Sequence, residues 1–192
     1  MGAIFQSLGR TITAGVVLVI ILIAAAGSGK FDHSWGAFIM RWLHVLSGIM
    51  WIGILWYFNF VQIPSMPKIP DEQKPAIGKV IAPAALFWFR WAALATVVTG
   101  LLLATMNGYI GIALTFTKPF TAIGIGMWLA LIMAFNVWFI IWPNQKKALG
   151  IVVVEAAEKA AAARLAMLTS RFNTMLSIPM LYCMVAQQNG GL

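Results

Sequence analysis

Charge is what this sequence lacks most. Only 9% of its 192 residues are Asp, Glu, Lys or Arg, against about 25% in a typical soluble domain. So few charges cannot cover a water-facing surface, so the exterior must face membrane lipid or other membrane subunits. Acids are scarcer than bases, five against thirteen, which leaves a net charge of +8. The bases stand singly or in pairs between apolar runs. They form neither the basic stripe nor the aromatic platform that nucleic acid requires, so no nucleic-acid partner is expected. Cysteine occurs once, as Cys183 within an apolar stretch. That rules out a disulfide, a zinc or iron–sulfur site, or a thiol-linked haem built from this chain alone, and Cys183 reads as a small buried hydrophobe. Histidine occurs twice, as His33 and His44, too few for a multi-ligand copper site. No acid lies inside an apolar run, which removes the carboxylate relay of a proton pathway. Phosphate-loop, nucleophile-elbow and zinc-peptidase motifs are also missing.

What remains is 61% hydrophobic, with nine tryptophans and twelve phenylalanines, aromatic residues of the kind that settle at membrane interfaces. A helix needs about 20 residues to cross the hydrocarbon core, or as few as about 17. The first candidate runs from Ile12 to Ala26 and ends at Gly27-Ser28-Gly29. Arg10 and the Ala24-Ala25-Ala26-Gly27 run imitate a signal peptide, but the segment is read as a retained span. The second, from about Trp35 to Phe60, is stopped by Pro64, Pro67 and Pro70, and a wet loop follows to about Pro83. The third runs from about Ala84 to Met106. Tyr109 to Thr117 is apolar but too short to cross, and reads as a re-entrant or interfacial turn. The fourth spans about Phe120 to Trp142, closed by Pro143-Asn144. Glu155 to Leu168 is alanine-rich with a polar face, an interfacial helix that continues into a short fifth span, about Phe172 to Gln187. The fold expected is all-α: a polytopic membrane helix bundle of about five transmembrane helices plus the interfacial helix, one transmembrane domain over residues 1–192.

Orientation follows from the bases. With the amino terminus cytoplasmic and five crossings, the inner segments carry Arg10, Lys68, Lys74, Lys79, Lys146, Lys147, Lys159, Arg164 and Arg171. The outer ones carry Lys30 and Lys118. Nine against two fits the positive-inside rule. It places the carboxy terminus outside; the setting expected is a bacterial inner membrane, with the carboxy terminus periplasmic.

Polar residues inside a span are functional candidates by default. Arg41, His44, Gly48 and Trp51 recur at helical spacings of three and four on the second helix, so they share one face. A flat space beside the His44 imidazole suits a haem plane or a closely packed helix, and Arg41 is placed to pair with a haem propionate. His44 is the candidate metal ligand. A bis-histidine haem is hard to assemble, because His33 lies eleven residues away, about 16 Å along a helix. The competing reading is a hydrogen-bonded packing histidine. Arg90, among Phe87, Trp88, Phe89 and Trp91, reads as a cation–π residue reaching the inner interface. Asn59, Asn136 and Asn173 read as interhelical hydrogen-bond formers.

The run from His44 to Gly53, His-Val-Leu-Ser-Gly-Ile-Met-Trp-Ile-Gly, resembles the first signature of the membrane-bound urate oxidase amino-terminal domain family. Phe87 to Ala92, Asn136 to Lys147 with Trp142-Pro143-Asn144-Gln145, and Phe172 to Pro179 agree in order. The His44 to Gly53 piece also resembles, more weakly, the copper-resistance D membrane family. The first resemblance implies a helical membrane domain which, in long members, is joined to a cytochrome c domain and assigned urate oxidation. This chain ends at Leu192 without such a domain, and Phe172 stands where the family leads one to expect a histidine. Two functions follow. One is a membrane subunit, not catalytic alone and needing no cofactor, in a redox or respiratory complex with other membrane subunits such as a cytochrome or an oxidase. The other is an electron-transfer protein with haem b at His44.

Overall fold

The computed structural model describes residues 2–26 and 31–191. Gly27-Ser28-Gly29, the expected end of the first span, and Lys30, Met1 and Leu192 lie outside the described residues. The chain divides into two compact units, residues 1–38 and 39–192. The described residues are helical throughout, apart from short turns and links. Among the described residues, four helices are long and apolar enough to cross a membrane: α1 (Leu8–Ala25), α2 (His33–Lys68), α3 (Lys74–Met106) and, after the short α4 (Ile110–Leu114), α5 (Thr121–Ala148). The last helix, α6, runs unbroken from Ala156 to Asn189. The expected interfacial helix and the last apolar segment are therefore one helix.

The first unit holds α1 and the start of α2. Asp32 caps α2: its carboxylate accepts hydrogen bonds from the Ser34 hydroxyl at 2.7 Å and the Trp35 N–H at 2.9 Å. These two bonds, the Ser34 one foremost, hold the Asp32 carboxyl below its ordinary pKa. Such a cap satisfies amide groups that the first helical turn leaves without partners.

In the second unit α2, α3, α5 and α6 share one core. Trp51, Leu55, Phe89, Met133 and Val137 are fully enclosed there, with Phe58, Leu86, Ile141 and Met180 around them. Polar pairs pin α6 within this apolar mass. Asn136 donates to the Asn173 side-chain oxygen at 2.8 Å, and Asn173 donates to the Met133 carbonyl at 2.9 Å. One turn either way, Asn59 donates to Ser170 at 2.8 Å and the Trp56 indole to Ser177 at 3.0 Å. Ser170, Asn173 and Ser177 are buried and spaced three and four apart, so they form one seam along α6. Hydrocarbon competes for none of these bonds, and the three asparagines make the interhelical contacts expected of them.

The expected stops at Pro64 and Pro143 do not end their helices. The α2 helix continues to Lys68 and α5 to Ala148, and α3 begins at Lys74 rather than about Ala84. The reason is local. A proline ring collides with the carbonyl four residues back and removes a helical donor. Each proline here follows a widened π-helical turn: Tyr57–Gln62 before Pro64, Ile77–Ile81 before Pro83 and Asn136–Ile141 before Pro143. In each case the residue just before the proline donates to a carbonyl five back: Ile63 to Phe58, Ala82 to Ile77 and Trp142 to Val137. The wider turn makes room for the ring and keeps the backbone bonded, as a membrane helix requires.

The short α4 packs on the start of α5 through Gly124, where an added Cβ would overlap the Ala113 carbonyl. Gln187 of α6 closes this corner, accepting from the Ile123 N–H at 3.1 Å and donating to the Pro119 carbonyl at 3.0 Å. Two outcomes follow. Gly124→Ala is expected to destabilise the bundle by about 1–3 kcal/mol, the usual cost of overpacking. Asn173→Leu is expected to cost about 1–2 kcal/mol through the lost interhelical bonds and the orphaned Asn136 amide. Reversible unfolding in mixed micelles measures both, and wild-type midpoints would contradict them.

Candidate functional site

Between α2 and the wall made by α3, α5 and α6 lies a cavity of about 630 Å³. That falls within the usual range of about 300–1,000 Å³ for small-molecule sites. The structure brings all four sequence candidates to it: Arg41, His44, Gly48 and Trp51 line its α2 side. Trp51 is fully buried, His44 is half-buried and Arg41 is exposed. His33 is an exposed residue of the first helical turn and is not among the lining residues.

His44 is held by α3. Its Nδ1 lies 2.8 Å from the Thr96 carbonyl and 3.3 Å from the Thr99 hydroxyl. A carbonyl only accepts, so the proton sits on Nδ1 and the Nε2 lone pair is left for another partner. The ring lies on Gly100, where an added Cβ would come within 2.8 Å of His44 Cε1 and 3.0 Å of Nδ1. The glycine that makes room for the imidazole therefore belongs to the neighbouring helix. Gly48, one turn after His44, faces Thr96 with space to spare, its nearest approach for an added Cβ being 3.9 Å.

Sequence reasoning missed the other walls. Thr96 and Gly100 on α3, Met127 on α5, Met180 and Met184 on α6, and Tyr109 all reach the cavity. The signal was present in Thr96-Val97-Val98-Thr99-Gly100, a polar and glycine interruption of an otherwise apolar helix. Tyr109 is close enough to Arg41 to feel its charge. Phe172 is about half exposed and lies off the cavity, whereas its neighbour Asn173 is fully buried. A histidine at position 172 would project from the outer side of α6 and away from His44.

At the other end of the bundle Arg90 lies with Cζ 3.3 Å from the centre of the Trp142 ring, the cation–π contact expected of it. This pairing explains the Trp142-Pro143 stretch through packing.

The donor set of the cavity fits a haem. It offers one imidazole with Nε2 available, three thioethers on the facing helices, and an arginine at the rim. Were haem bound there, His44 and Arg41 would hold it, and it would supply one-electron redox chemistry. Among the described residues, no group of three or more His, Cys, Asp and Glu side chains converges as a metal site.

Fold and cavity together define a helical membrane protein with an apolar, ligand-sized chamber inside its bundle. Residues 109–190 match the family model described as urate oxidase N-terminal, and the match supports the resemblance read from the sequence. It covers α4, α5 and all of α6, and does not reach the helix that carries His44. No curated protein and no solved structure matches the chain.

The Gly100 contact is directly testable. Gly100→Ala is expected to push the ring off the Thr96 carbonyl and to cost about 1–3 kcal/mol, while Gly48→Ala is expected to stay within about 1 kcal/mol of wild type. Thermal unfolding in detergent compares the two, and equal midpoints would show that His44 does not rest on Gly100.

Proposed function

We propose that this chain is an integral membrane subunit of a larger redox assembly, not catalytic alone. It crosses a bacterial inner membrane five times, with its amino terminus cytoplasmic and its carboxy terminus periplasmic. The observation that carries the reading is the urate oxidase N-terminal match over residues 109–190, set on helices whose exposed surface is largely apolar. What supports a fifth crossing is the pairing of α6 with α5 at two well-separated heights. Asn173 meets Asn136, and Gln187 meets Ile123. The α6 segment between those pairs therefore lies alongside a helix apolar enough to span. The basic residues supply the orientation, with Lys74, Lys146 and Lys147 on the cytoplasmic side.

Affinity purification in mild detergent is expected to bring down redox subunits in fixed ratio, and a chain recovered alone from native membranes would defeat the proposal. A membrane-impermeant amine reagent applied to intact spheroplasts is expected to leave Lys74 unlabelled; modification of Lys74 there would reverse the topology. The purified chain alone is expected not to oxidise urate, which loss of urate absorbance would check.

The second reading is haem b at His44. It is favoured by the Nδ1 bond to Thr96, which leaves Nε2 free and orients the ring, as partners of ligating imidazoles do. On this reading the purified protein shows a Soret band that His44→Ala abolishes. A colourless protein at full yield would remove haem from the site.

A further inference from the structure

We propose that the cavity beside His44 binds a quinol drawn directly from the lipid phase, with the imidazole accepting a hydrogen bond from the quinol hydroxyl. The inference rests on the redox-assembly reading and adds to it a class of ligand. Three observations carry it.

The first is the open side of the cavity. Val45, Ile49 and Trp56 of α2 and Val185 of α6 line it and are also exposed, Ile49 by 66% and Val185 by 62%. They lie on helices whose exposed faces are apolar. The Trp56–Ser177 hydrogen bond ties α2 to α6 beside this opening. An apolar opening of this kind admits a molecule already dissolved in lipid, while Arg41, Gln188 and Asn189 line the polar end of the cavity.

The second is the character of the interior. Met127, Ala130, Met180, Leu181 and Met184 give it apolar walls, and flexible thioethers adapt to a flat guest. The third is its polar content. Nδ1 of His44 is committed to the Thr96 carbonyl, so the free Nε2 is an acceptor and calls for a ligand O–H. The Trp51 indole N–H, also without a partner among the described residues, is shut away from the cavity, so it is the histidine that selects the guest. An acyl chain would leave Nε2 unanswered. An aromatic ring carrying a hydroxyl answers it, and the protonation of His44 favours the reduced form.

The test uses the full chain in lipid nanodiscs with a decyl-substituted benzoquinol held reduced under anaerobic conditions, compared with its oxidised form and with protein-free nanodiscs. Saturable binding beyond simple partition is expected, tighter for the quinol than for the quinone. His44→Ala should weaken it about tenfold, the scale of one lost hydrogen bond to a buried group. Val185→Trp changes a lipid-exposed residue at the mouth, so folding is spared while entry is obstructed, and occupancy should fall. Uptake no greater than in protein-free nanodiscs would overturn the proposal. So would binding that both substitutions leave unchanged, or a haem Soret band that depends on His44. Saturable quinol binding by a chain that co-purifies with no redox subunit would uphold the site and remove the assembly reading.

Discussion

The bundle depends on one dry contact, the amide pair between Asn136 and Asn173 with its second bond to the Met133 carbonyl. In water two side-chain amides would gain little by finding each other, since solvent satisfies both. Inside an apolar core nothing else can, so the pair fixes which face of α6 meets α5 and at what height. The alanines and serines of α6 then let it lie close. Gln187 near its end and Ser170 at its middle add further ties, and the cavity wall with Met180 and Met184 takes its position from there. His44 is placed by the other half of the structure, through a backbone carbonyl of α3.

Both anchoring schemes use backbone acceptors in the same economical way. A helix in lipid has few spare hydrogen-bonding groups, but every carbonyl keeps a second lone pair. Thr96 and Met133 each lend theirs to a side chain on another helix. This ties helices together without introducing charge, consistent with a bundle that keeps Asp and Glu out of its interior.

Much of this was legible in the sequence. Long apolar runs announced the membrane helices, and the spacing of Arg41, His44, Gly48 and Trp51 placed them on the face that lines the cavity. Alanine richness before Arg171 announced a helix continuous with the last apolar segment. The proline stops were misread because proline was treated as a terminator, its usual role in water. Where hydrocarbon penalises an unpaired backbone group, a widened turn costs less than breaking the helix. The partners of His44 were not legible, because Thr96 and Gly100 lie more than fifty residues downstream. Their relevance depends on α3 packing at one height against α2, which no local pattern encodes. Gly48 drew attention by sequence proximity, while the residue that mattered was Gly100.

The three widened turns all lie toward the end of the bundle that carries Arg90, Trp142 and the lysine-bearing loops. A π-turn turns the helix less per residue than an α-turn, so the residues beyond it present a different face. Three such turns at one level reset α2, α3 and α5 together, and the side chains shown to a neighbour at that end are not in register with those around His44.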